Sequence, residues 1–207
     1  MQYLVIISTL FVVGSLMGWI IELFFRRFVT QKKWMNPGFL MGPYLPIYGF
    51  GVVVLYAVSN IPLGIELQVV DIVIRILIIG VGMTLIEFIA GLIFIKGLKI
   101  KLWDYSDRKG NIMGIICPIF SLAWLIVGSL YYFLLNPILV QGISWISDNL
   151  IYTYFVGAVI GMIIVDLSYS IHLATKLKEF KEMQGLRFEE FKKELKRKME
   201  ELRSRNN

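Results

Sequence analysis

Cysteine and histidine are almost missing from this 207-residue chain, which holds one of each, Cys117 and His172. A single cysteine excludes an intramolecular disulfide and leaves the redox compartment undetermined. A single histidine excludes His-rich metal tracts, so no metal site is expected, with His172 as the one weak candidate ligand. No Ser/His/Asp or Cys/His arrangement is supported, and Cys117, inside an apolar run, reads as core. No GxxxxGK(S/T) loop occurs, which excludes ATP hydrolysis by the P-loop route, and no DDxxD-like spacing is present. Neither a catalytic residue nor a cofactor is expected. Charge is scarce as well: 17% of residues are charged against 57% hydrophobic, and the mean hydropathy is +0.70. A soluble domain of this size could not hide so much apolar surface, so lipid acts as part of the solvent. The apolar runs are continuous rather than alternating, which favours helices over a barrel. Lys and Arg are missing ahead of the first run, and no small-x-small cleavage site follows it, so that run is expected to stay as an anchor.

Five stretches approach the roughly 20 apolar residues that a bilayer core of ~30 Å requires. They cover about residues 3–25, 45–63, 70–95, 112–135 and 151–175, the fourth closed by Asn136-Pro137. The expected fold is therefore all-α: a polytopic membrane bundle of five transmembrane helices over residues 1–175, followed by a basic cytosolic tail over 176–207. The formal charge of +6 is uneven, because that tail holds 11 of the 21 Lys/Arg and 7 of the 15 Asp/Glu. Arg26, Arg27, Lys32 and Lys33 follow the first run, and Lys96, Lys99, Lys101, Arg108 and Lys109 follow the third. The stretches 62–71 and 136–150 carry no Lys or Arg at all. The positive-inside rule then predicts an outer N-terminus and a cytoplasmic C-terminus in a cell membrane, and ties the basic residues to topology and anionic lipid rather than to nucleic acid. In the tail, Phe188, Phe191, Leu195, Met199 and Leu202 recur at three- and four-residue spacing, with favourable pairs Glu189→Lys193 and Glu194→Lys198. This predicts an amphipathic helix with a candidate break at Gly185. It reads as a solvated extension, a partner-docking helix or a lipid-surface helix.

The stretch "NPGFLMGPYLPIYGFG", Asn36–Gly51, gathers three of the six prolines and four glycines. Prolines 37, 43 and 46 remove backbone donors, and the glycines permit close approach. Irregular backbone at membrane depth persists only where protein or water covers it. The stretch is expected either to line a cytoplasmic-side cavity as a re-entrant or broken segment, or to form a tight interfacial loop. Given the predicted topology, Glu22, Glu87 and Asp166 fall in the later parts of out-to-in helices, at one depth zone. Either each carboxylate is paired structurally or the three share a polar cavity; matching depth on three helices favours the cavity. Arg75 is expected to snorkel outward. In "LWDYSDRKGNIMG", Leu102–Gly114, Trp103 and Tyr105 suit an aromatic belt, Asp104 is less easily an anchor, and Asn111 is placed to cap the fourth helix. Trp124 and Trp145 read as packing and belt residues. The candidate binding residues are thus Glu22, Glu87, Asp166, Asn36, Tyr48, Trp103, Asp104, Tyr105 and Asn111.

"GSLMGWIIE" (Gly14–Glu22), the Asn36–Gly51 stretch, the helix containing Glu87 and "WDYSDRKGNIMGIIC" (Trp103–Cys117) occur in this order. Together they resemble the small membrane proteins of the CmpB-like type IV ABC-transporter permease family, over about residues 10–137. The resemblance implies an integral-membrane permease subunit that works with a separate ATPase subunit.

Three functions fit these residues. In a transporter or permease component, the carboxylates would bind cations or relay protons while the Pro/Gly segment supplies carbonyls; five helices are few for a complete pathway, so a homo- or hetero-oligomer is expected. In a membrane-embedded enzyme acting on a lipid or isoprenoid, the same carboxylates would serve as acid and base or hold a divalent metal with His172. In a structural or regulatory protein, the tail would recruit a partner.

Overall fold

The computed structural model describes residues 2–30 and 32–205, except the side chains of 2, 30, 147, 148, 150, 178, 181, 186, 195, 196 and 198–205. Helix α1, Gln2–Phe25, runs on into a wide π turn at Arg26–Thr30. Helix α2 is Pro46–Asn60, and α3, Gln68–Leu92, ends in a second π turn at Ile93–Leu98. Helix α4, Pro118–Leu130, passes through a third π turn at Tyr131–Leu135 into α5, Asn136–Asp148. A short 3-10 turn at Leu150–Tyr152 leads to α6, Thr153–Arg205. Among the described residues the only extended pairing is the single bridge Ile112↔Ile116, so the all-α expectation holds. The chain divides into two compact units, Met1–Leu167 and Ser168–Asn207, the second being the later part of α6.

Four helical stretches are long and apolar enough to cross a membrane: 3–29, 68–98, 118–146 and 153–194. The exposed faces agree, since Leu77, Val81, Leu85 and Ile89 on α3 all point outward, a stripe suited to lipid. This is a multi-pass membrane protein. The count of five spans is corrected by α2, whose 15 residues reach only ~22 Å. Its shortness follows from the prolines. Residues 32–45 are irregular, and the chain turns back along α1 before Pro46 starts a helix at a first-turn position, where its missing N–H costs nothing. The Trp19 indole donates to Asn36 Oδ1 at 2.9 Å, and Leu45 N–H donates to the Ser15 carbonyl at 2.9 Å. Ser15 lies ten residues before the end of α1, about 15 Å along its axis. The irregular run and α2 therefore share one path beside α1.

Small residues let α1 and α2 close on each other. A methyl at Gly18 would strike the Tyr48 ring, and one at Gly49 would strike Ser15 Oγ and the Phe11 carbonyl. Such contacts replace the hydrophobic drive that lipid cannot supply. One core cluster joins Leu55, Ile79, Met83 and Tyr131 across α2, α3 and the third π turn. Another seats Leu40 and Tyr44 of the irregular run against Ile163 of α6, with Phe11 and Leu16 alongside.

Several boundaries differ from expectation. The fourth span begins at Pro118, not near 112, because residues 104–116 fold on themselves: Tyr105 N–H meets the Gly114 carbonyl, and Gly110, Met113 and Gly114 take positive φ. Asn111 does not cap α4. Its amide donates to the Ser106 and Arg108 carbonyls and its Oδ1 accepts from Gly114 N–H, which shapes the turn. Asn136-Pro137 does not close the span either. The π turn just before it shifts the hydrogen-bond register around the missing proline donor, and the helix continues to Asp148. Arg75 does not snorkel. It is buried, ion-paired with Asp71 at 2.6 Å, and donates to the carbonyls of Val58 and Ile61. Helix α6 runs through Gly185 without a break. Phe188 and Phe191 are exposed, while Leu195, Lys198, Met199 and Leu202 have side chains outside the described residues.

Candidate functional site

A cavity of about 180 Å³ lies within the first unit, between α1, α2, α3, α4 and the two irregular loops. Its polar wall is Glu22, Arg26, Tyr48, Glu87 and Tyr105; the rest is aromatic or apolar and includes Phe39, Trp103, Trp124 and Met83. Position follows from helix phase. Glu22 and Arg26 are one turn apart on α1, so their side chains meet, at 3.0 Å between Arg26 Nε and Glu22 Oε1. Across the α1–α2 seam, the Tyr48 hydroxyl donates to Glu22 Oε2 at 3.0 Å. Glu22 is thus served on both oxygens, one by a guanidinium and one by a phenol.

Glu87 is buried, at 6% exposure, five residues before the end of α3. Its Oε1 accepts from the Tyr105 hydroxyl and its Oε2 from the Trp124 indole N–H, both at 3.0 Å. Both donors are neutral, and no Lys or Arg within 4.0 Å pairs with Glu87 among the described residues. Tyr105 is held by a stacked contact with Phe120, ring centroids 4.4 Å apart, and Trp103 by its indole bond to the Ile115 carbonyl at 2.8 Å. Burial, then the nearby Glu87 charge, pushes the Tyr105 phenol well above its usual range, so it stays a donor. The loop end therefore plugs into the bundle through two aromatic side chains.

Asp166 is not at this cavity. Its carboxylate takes the N–H groups of Met41 (3.1 Å) and Gly42 (2.8 Å) and the Tyr44 hydroxyl (2.8 Å). Three donors on one carboxylate make it a latch for the irregular run, which explains why a charge at that depth need not face water. The shared cavity of three carboxylates is therefore reduced to two. Asn36 holds its own loop, donating to the Leu40 and Met41 carbonyls and accepting from Gly38 N–H, while the adjoining Pro37, Gly38 and Phe39 line the cavity. Asp104 is exposed on the loop, bonded to Lys101, Ser106 N–H and Ser106 Oγ, and Asn111 shapes the same turn. Lys101, then Ser106, holds the Asp104 carboxyl down at about 2. His172 is exposed in the second unit, and no group of three or more His, Cys, Asp or Glu suited to a metal occurs among the described residues.

Of the nine candidate residues, Glu22, Tyr48, Glu87, Trp103 and Tyr105 line the cavity. Sequence reasoning passed over Arg26, Phe39 and Met83 as cavity residues and treated Trp124 as packing. Depth could have exposed Trp124: it lies six residues into α4, Glu87 lies five before the end of α3, and adjacent antiparallel helices bring such positions level.

Residues 9–171 match the model of the family described as "Putative ABC-transporter type IV". The chain belongs to this family. The match covers the cavity and Asp166, and it reaches beyond the 10–137 of the motif resemblance into the fifth expected span. No curated protein and no solved structure matches the chain. Every cavity residue therefore lies inside the type IV family region, and the whole basic tail over 176–207 lies outside it.

Proposed function

We propose that this type IV family member is the membrane component of a transporter, with its binding site at the Glu22–Glu87 cavity and its N-terminus outside. The carrying observation is that two carboxylates, from α1 and α3, open onto one largely aromatic and apolar cavity that the irregular segment Pro37–Phe39 also lines. Ionisable groups at such depth are costly and usually mark a solute or ion path, and broken segments at such depth commonly border one. The basic residues after α1 and around the 99–114 loop support a cytoplasmic position for this end of the bundle by the positive-inside rule. Without a phosphate-binding loop the chain would draw energy from a separate ATPase subunit, and with so few spans it would act as an oligomer.

The test is gentle detergent extraction of the tagged full chain from native membranes, followed by protein identification and sizing. A stoichiometric P-loop ATPase, or a homo-oligomer, is the expected result. Recovery of a monomer with no companion subunit would overturn the permease reading.

A further inference from the structure

The cavity's charge balance specifies its ligand more closely, on the reading that this cavity is the binding site. Its lining holds two carboxylates and one guanidinium, with no lysine or histidine. Arg26 neutralises Glu22 through their 3.0 Å contact, and Glu87 is left as the charge without a cation. The same cavity is lined by five ring systems, Tyr48, Tyr105, Trp103, Trp124 and Phe39, of which Tyr105 and Trp124 turn their O–H and N–H groups to Glu87. Ring faces attract cations, and clusters of such faces recognise quaternary ammonium groups.

Size narrows the choice further. A cavity of about 150 Å³ holds a six-carbon ring, so 180 Å³ takes roughly six or seven non-hydrogen atoms. A bare metal ion would leave this space largely unfilled. It would also find both Glu87 oxygens already engaged by Trp124 and Tyr105, with no third metal-type ligand clustered nearby among the described residues. An anionic ligand would face Glu87 across a space whose only cation is already paired. A neutral apolar ligand would leave Glu87 with no partner beyond its two neutral donors, Tyr105 and Trp124.

We infer that the cavity binds a small organic cation, a quaternary or protonated alkylammonium of choline size, with Glu87 as counter-charge and the surrounding rings as its cage. The Glu22–Arg26–Tyr48 cluster offers polar contacts for a hydroxyl end of the same molecule. That chemistry occurs both in free solutes and in phospholipid headgroups.

The test is calorimetric titration of the full chain, purified in a glycoside detergent, with choline, tetramethylammonium and 3,3-dimethylbutanol, the uncharged carbon counterpart of choline. The two cations should bind saturably, and the alcohol should bind roughly tenfold or more weakly. Glu87→Gln should remove the difference between choline and the alcohol. Equal binding of choline and the alcohol by the unaltered chain, or no saturable cation binding up to about 10 mM, would overturn the inference without reliance on any variant. Repeating the choline titration in phosphatidylglycerol nanodiscs, with and without phosphatidylcholine, separates the sources: competition by phosphatidylcholine assigns a headgroup, and its absence assigns a dissolved solute. The outcomes also separate the two readings. Cation binding without an ATPase or oligomer would remove the permease and keep the site, and the converse would remove only the ligand class.

Discussion

The Tyr105 hydroxyl reaches Glu87 Oε1 at 3.0 Å, across 18 residues of chain, and so fastens the loop after α3 to a carboxylate inside α3 itself. That single bond couples the loop's position to the state of the cavity. Removing it with Tyr105→Phe should cost about 1 kcal/mol, and a double-mutant cycle with Glu87→Gln should give a coupling near 0.6 kcal/mol, the scale of buried hydrogen bonds in membrane proteins. Unfolding titrations of the four proteins in mixed detergent provide the measurement. Strict additivity would show that the contact carries no energy.

Asp166 holds the irregular run through Met41, Gly42 and Tyr44. Asp166→Ala should leave these donors without that acceptor, at about 1–3 kcal/mol for each one that stays buried. The run should then loosen before the helices do. Hydrogen exchange should rise over 36–45 while α3 keeps its protection; equal rates in both proteins would contradict the latch.

Arg75 is a buried ion with four acceptor contacts: two to Asp71 and two to carbonyls at the end of α2. Arg75→Met should destabilise by about 1–3 kcal/mol, the cost of leaving half-buried Asp71 and two carbonyls without their charged donor. Arg75→Lys should recover little, since an ammonium lacks the planar fork that serves both partners. Thermal unfolding of both variants is the check.

Asp104 lies on the loop, well outside the helices, with its carboxyl held at about 2 against an ordinary 3.8 by Lys101 and Ser106. A lowered folded-state value means the ionised form is the one that stabilises. The contribution should be complete above about pH 5, shrink below pH 4 and vanish as the pH falls through 2. The difference in unfolding midpoint between the unaltered chain and Asp104→Asn should follow that course. A difference that stayed constant down to pH 2 would refute the assignment.

Gly49 faces Ser15 Oγ and the Phe11 carbonyl, where an added methyl meets backbone as well as side chain. Gly49→Ala should push α1 and α2 apart and cost about 1–3 kcal/mol, whereas Gly142→Ala, with open space around it, should be neutral or slightly stabilising. Comparing the two midpoints tests whether the seam is as tight as described.

Apolar run length carried most of the fold in readable form, because a long membrane helix is specified by composition more than by detail. The misreadings arose where hydrogen bonding outweighed composition. Asn136-Pro137 reads as a stop, but a π turn before it absorbs the missing donor. Residues 112–117 read as helix by hydropathy, but positive φ at Met113 and Gly114 belongs to a tight turn. Arg75 reads as a snorkelling residue, since the sequence does not reveal that the carbonyls of Val58 and Ile61 sit within its reach. At the candidate site, the pairing of Glu22 with Arg26 could be read from i,i+4 spacing. The diversion of Asp166 to Met41, Gly42 and Tyr44 could not, because that bond spans more than 120 residues and depends on how the irregular run folds.

The brevity of α2 has a consequence for how it survives at depth. A helix that stops short of a water layer needs partners for its last carbonyls and first amides from elsewhere. At one end Arg75 supplies donors to Val58 and Ile61, and Asn60 joins Asn136 in a side-chain amide contact. At the other, Pro46 has no amide hydrogen to satisfy, and the Leu45 carbonyl accepts from Tyr48 and Gly49. Side chains and a proline thus take up end groups of this helix that water would otherwise serve.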